Sequence, residues 1–109
     1  MTENWDPPDW LKRKVIARDK SCVYCGIKLK EYYRGKGKDK ATLEHIENRP
    51  CVEEWNIAMC CNSCNSSKDQ MKLLDWFESD YCKGKNELKV LINKETVAPI
   101  IKEYIKTKT

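Results

Sequence analysis

The sequence lacks the features that would place it in a membrane or a repeat array. No apolar run approaches the roughly 20 residues that span a bilayer, and no charged-then-apolar leader opens the chain. Export and membrane insertion are therefore not expected, and a cytoplasmic protein is. No internal repeat is present, so a solenoid is not expected either. Phenylalanine and histidine each occur once. A core with a single Phe rests on a few other large rings, drawn from four Trp and five Tyr. Any imidazole chemistry falls on His45.

What is present points to one small globular domain, residues 1–109, with 40% hydrophobic and 35% charged residues. A chain of this size buries about two-thirds of its unfolded surface, so cross-linking helps it. Seven cysteines are available for that. In a reducing compartment disulfides are not expected, and Cys-x-x-Cys pairs favour metal. The odd count leaves at least one thiol unpaired. A thiol redox protein is disfavoured because no βαβ pattern surrounds either pair.

The formal net charge is +4, a mild bias towards polyanions. Residues 28–40 carry all of it: Lys28, Lys30, Arg34, Lys36, Lys38 and Lys40 stand against Glu31 and Asp39. Gly35 and Gly37 interrupt the run, which reads as an exposed loop. It is either charged surface or a phosphate-gripping loop, whose affinity would fall steeply with salt.

Along the chain, Pro7-Pro8 suggests an extended start. Asp9 can cap a helix over about 9–20, with Leu11 and Val15 inward and Lys12, Arg13 and Arg18 in water or on phosphate. Residues 41–46 read as a strand, and Ile57 to Cys60 as a returning strand. Residues 65–81 read as one helix with a stripe of Met71, Leu74, Phe77 and Tyr81, broadened by Leu73 and Trp76. Trp55 is expected to pack. Residues 86–93 fit strand or helix equally. Thr96 can cap a final helix over about 96–106, where Val97, Ile100, Ile101, Tyr104 and Ile105 form one face and Pro99 is tolerated in the first turn.

Cys22 and Cys25 form one Cys-x-x-Cys, followed by Gly26 as in a knuckle turn. Cys61 and Cys64 form a second, and together they make a four-thiolate tetrahedral site for Zn2+. Cys60 is a rival for Cys61, but Cys61 repeats the spacing of the first pair. Cys51 and Cys82 are left as buried or incidental thiols. Four cysteines leave no open coordination position, so this zinc is structural, contributing on the order of 10 kcal/mol.

CVYC, LEHI, the Asn of NIAMC and CNSCNSSK together resemble the HNH endonuclease family, in the variant whose third signature residue is Asn. The resemblance runs from Cys22 to Lys68. It implies an α+β domain, a small zinc-stabilised ββα-metal fold with a core over 22–80 and flanking helices. It also implies a single divalent cation, Mg2+ or Mn2+. Carried onto this sequence, Glu44 and Asn65 hold that ion, His45 is the general base, and Asn56 braces the loop and orients the histidine. Glu44 stands where Asp is more usual, and its extra methylene changes the coordination geometry.

The residue types suit the chemistry. Adjacent Glu44 and His45 point to opposite sides of an ideal strand, so the strand must end or twist there. A histidine near its ordinary pKa accepts a proton at neutral pH. Carboxylate and amide oxygens are hard ligands, unlike the thiolates of the knot. Asn65 can also cap a helix. Lys68 contacts phosphate or sits on a solvated helix face, and Arg49, Lys36 and Lys38 are further candidates for DNA contact. The expected activity is endonucleolytic cutting or nicking of double-stranded DNA, leaving 5′-phosphate and 3′-hydroxyl ends. The alternative is a zinc-containing nucleic-acid-binding module that does not cleave. A homodimer or a larger complex is left open.

Overall fold

Two short strands carry the site. Ala41–His45 (β1) and Ile57–Cys61 (β2) run antiparallel, with Ala41 opposite Cys61, Leu43 opposite Met59 and His45 opposite Ile57. A two-stranded ribbon is marginal in water by itself. This one is covered on both faces, and all five residues of β2 are buried. The computed structural model describes residues 7–29, 41–47, 53–85 and 89–108, without the side chain of Lys108.

On one face lies α1 (Asp9–Arg18), whose buried Leu11 and Val15 pack with Ala41, Leu43, Ile57 and Met59. Pro8, not Asp9, is the N-cap; its carbonyl accepts from the amides of Leu11 and Lys12, both at 3.0 Å. Asp9 falls in the first turn, where a carboxylate meets the positive end of the helix dipole. Arg18 is not in water. Its guanidinium grips the Asp19 carboxylate at 2.7 and 2.6 Å and donates to the Ile57 carbonyl at 2.7 Å. Asp19 in turn accepts from the Met59 amide at 3.1 Å. The amide of Val23 reaches the Met59 carbonyl at 3.2 Å. The outer edge of β2 is thereby satisfied without a third strand.

The other face carries the larger cluster, with Tyr24, Ile46, Ala58, Cys60, Trp76, Ile92, Val97 and Ile101 at its centre. The expected helix over residues 65–81 is two: α2 (Asn62–Lys68) and α3 (Leu73–Trp76). Asp69 breaks them, at φ 46. Its ψ of −119 takes the chain out of the helix, and its amide closes α2 on the Asn65 carbonyl at 2.9 Å. The break rotates α3, so Leu73, Trp76 and Phe77 turn inward while Met71 and Leu74 are exposed.

The last helix, α4 (Pro99–Lys108), begins two residues later than the Thr96 cap implies. Thr96 instead closes a turn: its hydroxyl accepts from the Asn93 amide at 3.0 Å. Val97, Ile101 and Ile105 are buried as expected, and Pro99 occupies the first helical position. Between them, residues 89–93 form neither helix nor strand, and Leu91 makes an isolated antiparallel bridge with Lys83. No helix among the described residues is long and apolar enough to cross a membrane.

Trp76 is the hub of this face. It meets Tyr24 edge-on at 5.1 Å between centroids, stacks on Tyr81 at 5.9 Å, and donates to Ser67 Oγ at 3.0 Å. Trp76→Ala is expected to cost about 3–5 kcal/mol, read as a lower urea midpoint at unchanged slope in the zinc-loaded chain. A loss below about 1 kcal/mol contradicts this packing.

Candidate metal centre and active site

The four cysteines of the two Cys-x-x-Cys pairs come together. The sulfurs of Cys22, Cys25, Cys61 and Cys64 all lie within 4.8 Å of one another. Cys25 Sγ and Cys61 Sγ, one from each pair, are 3.7 Å apart. A tetrahedron with zinc–sulfur bonds of about 2.3 Å has edges of about 3.8 Å, so the cluster has the dimensions of a four-thiolate zinc site. In each pair the later cysteine's amide points at the earlier sulfur: Cys25 N to Cys22 Sγ at 3.5 Å, Cys64 N to Cys61 Sγ at 3.4 Å. Gly26, at φ +82, lets the first turn close. Cys61 also caps α2 through that sulfur, so Asn65 is not the N-cap.

The four thiols titrate against one another. Hydrogen bonds from Cys25, Cys61 and Cys64 hold the Cys22 thiol far below its ordinary value. Hydrogen bonds to Cys22 hold Cys61 and Cys64 far above theirs. Four clustered cysteine sulfurs are a soft donor set that could hold zinc, and a bound cation would let all four ionise. Tyr81 adds an outer contact, its hydroxyl 3.3 Å from Cys64 Sγ and 2.9 Å from Ser63 Oγ. Cys60 lies outside the cluster because neighbouring strand residues point to opposite faces; it is buried, as is Cys82. Cys51 lies outside the described residues.

Beside the knot is a second polar group. β1 ends at His45, so Glu44 and His45 separate to its two sides. Glu44 is buried, and its Oε2 accepts from the Tyr24 hydroxyl and sits 3.8 Å from Lys68 Nζ. Tyr24 stands between the first two cysteines, so one residue spans from the knot to this carboxylate. Lys68 is 1% exposed and also donates to the His45 carbonyl at 3.4 Å. The solvated helix face expected for it is therefore corrected: i, i+4 spacing from Cys64 turns Lys68 into the core.

Burial pushes the Glu44 carboxyl up to about 7, against the opposing pull of the Lys68 ammonium and the Tyr24 hydroxyl. Removing one partner of such a pair leaves a buried charge, at about 3–5 kcal/mol.

Asn56 is completely buried. Its Oδ1 accepts from the Glu47 amide at 2.6 Å and its Nδ2 donates to the Glu47 carbonyl at 3.2 Å. Its own carbonyl accepts from the Ile46 amide at 2.8 Å. Asn56 thus clamps the two residues that follow His45. Tyr104 of α4 donates to Glu47 Oε2 at 3.3 Å and stacks on Trp55 at 6.0 Å, which is the packing expected of that Trp.

Asn65 is half-buried on α2, one turn before Lys68. Its side-chain amide makes no hydrogen bond among the described residues. Lys36, Lys38 and Arg49 lie outside those residues.

Comparison with known proteins supplies one relative. The "SPbeta prophage-derived putative HNH endonuclease YoqL" of Bacillus subtilis (strain 168) is 30% identical over 74 residues, 64% of this chain and 32% of its own length. This chain resembles a protein named as an HNH endonuclease. It spans about a third of that relative's length. No family model matches the chain, and no solved structure matches it.

Tyr24, Glu47 and Tyr104 are the site residues that sequence reasoning missed, and Lys68 was expected on phosphate or in solvent rather than against Glu44. Only Glu44 carried a signal. A carboxylate on a strand facing a packed helix needs a cation or donor opposite, and Lys68 is the cationic residue of α2.

Two predictions follow from this geometry. Cys61→Ser is expected to abolish zinc retention, measured by metal analysis after gel filtration, and to unfold the chain, whereas Cys60→Ser retains zinc. Zinc loss in Cys60→Ser contradicts the assignment. Burial and the Lys68 ammonium both disfavour imidazolium, so the His45 titration falls below the ordinary 6.5. Proton NMR of this single histidine, without added divalent ion, is expected to show that, with Lys68→Met moving the midpoint upward. A native midpoint at or above 6.5 contradicts it.

Proposed function

We propose that the chain is a metal-dependent endonuclease that cuts or nicks double-stranded DNA. The observation that carries the reading is the termination of β1 at His45 together with the Asn56 clamp on Glu47. A histidine at a strand end, kept neutral by burial and by a nearby cation, and followed by a loop with locked backbone, is a positioned base. The resemblance to a protein named as an HNH endonuclease supports the same reaction class.

On this reading His45 takes a proton from water as the hydroxide oxygen forms its bond to phosphorus. The phosphorus–O3′ bond breaks, leaving a 5′-phosphate on one fragment. The departing 3′ oxygen takes a proton from water and becomes the 3′-hydroxyl of the other. Asn56 positions the histidine by fixing the backbone after it. Glu44 and Asn65 would hold the Mg2+ or Mn2+, two hard oxygen ligands that leave positions for water and phosphate. When bound, that ion would stabilise negative charge on the phosphate and leaving oxygen. Cys22, Cys25, Cys61 and Cys64 would hold a structural Zn2+. Lys36, Lys38 and Arg49 would supply phosphate contacts, making binding salt-dependent.

One observation favours the second reading, a zinc-containing nucleic-acid-binding module that does not cleave. Glu44 already has partners in Tyr24 and Lys68. Plasmid nicking with Mg2+ or Mn2+ separates the two. The zinc-loaded chain is expected to convert supercoiled to open-circular DNA. His45→Ala is expected to lose about 100-fold or more of that rate, as removal of a general base does. No nicking by either folded, zinc-loaded chain leaves the binding module, and equal nicking by both overturns His45 as the base.

A further inference from the structure

The Glu44–Lys68 pair is an unusual companion for a metal site. Glu44 is 5% exposed and Lys68 1%, and the ammonium sits 3.8 Å from Oε2. A lysine is seldom fully buried unless paired. The partners available to this one are a carboxylate oxygen and the His45 carbonyl at 3.4 Å. The other residue placed to face a divalent ion, Asn65, is neutral. Among the described residues, Glu44 is the carboxylate that faces the Lys68 ammonium.

That charge balances one ammonium. It cannot also balance a divalent ion, because a buried group of Glu44, Asn65, Lys68 and the ion would carry net +2. Uncompensated charge in a low-dielectric interior is strongly disfavoured. Asn65 lies on the same face of α2 as Lys68, one turn away, so both cations would share one region. The lysine stem has four flexible carbons, and its head can move several ångströms while its root stays in α2.

We propose that Lys68 is the resident counter-cation of Glu44, and that a divalent ion takes this carboxylate by displacing the Lys68 ammonium into solvent or onto phosphate. This rests on the reading of Glu44 as an ion ligand. The pair then keeps the carboxylate compensated while no ion is bound. It also sets a threshold for metal: ions that bind Glu44 weakly leave the site closed. The displaced ammonium gives α2 a cation that responds to metal loading.

Mn2+ binding to the zinc-loaded chain without DNA tests this, read by electron paramagnetic resonance. Lys68→Met is expected to bind Mn2+ about tenfold tighter or more, and Glu44→Gln added to it abolishes the gain. Reductive methylation of the native chain tests the same displacement without any substitution. Lys68 is expected to be protected without Mn2+ and modified with it, by mass spectrometry of its peptide. Unchanged or weaker Mn2+ binding in folded Lys68→Met, or Lys68 still protected at saturating Mn2+, overturns the proposal. If Glu44→Gln alone loses Mn2+ while either of those results holds, displacement falls and Glu44 remains an ion ligand. If Glu44→Gln binds Mn2+ as the native chain does, the ligand reading falls too.

Discussion

Four sulfurs within 4.8 Å of one another set the distances on which the rest of the chain depends. They join the turn after α1 to the end of β2 and the first turn of α2. The turn between Cys22 and Cys25 carries Tyr24 inward, where its ring meets Trp76 and its hydroxyl reaches Glu44. α2, capped by Cys61, lays Lys68 against Glu44 and the His45 carbonyl. β1 is thus gripped by two elements whose separation the cluster determines. A helix of seven residues and a two-stranded ribbon have little stability alone. A cation held among these sulfurs would cross-link elements that are short by themselves.

The polar interior divides by softness and charge. Thiolates gather on one side of Tyr24, and oxygen ligands and an ammonium on the other. Soft donors select zinc, while carboxylate and amide oxygens suit magnesium or manganese. On the proposed reading these are two metal sites of different purpose, one that sets geometry and one that serves the reaction. Tyr24 touches both. The Asn56 and Tyr104 contacts to Glu47 brace the segment after His45 from β2 and α4, so the C-terminal helix also bears on the site.

Much of this was legible in the sequence, for identifiable reasons. Paired Cys-x-x-Cys spacing is a local geometric signal, and it led to the four sulfurs that cluster and to Cys61 over Cys60. The strand pair followed from β-compatible residues and a short apolar run, and the inward faces of α1 and α4 from apolar periodicity. The helix over 65–81 was misread because its apolar residues keep helical spacing through a break made by one backbone angle at Asp69. Arg18 and Lys68 were assigned to solvent or phosphate because lysine and arginine usually lie there. What internalised them is tertiary: a free strand edge for Arg18, a buried carboxylate for Lys68. No local pattern encodes either.

The central claim is that this small chain holds two different ions for two purposes, zinc among thiolates and a hard divalent ion beside His45. Anomalous diffraction tests it most directly, from crystals of the zinc-loaded chain with a DNA duplex and Mn2+, recorded at the zinc and manganese edges. The account predicts a zinc peak among Cys22, Cys25, Cys61 and Cys64 and a separate manganese peak between Glu44 and Asn65. A single peak at the sulfurs, with no manganese at Glu44, would contradict it.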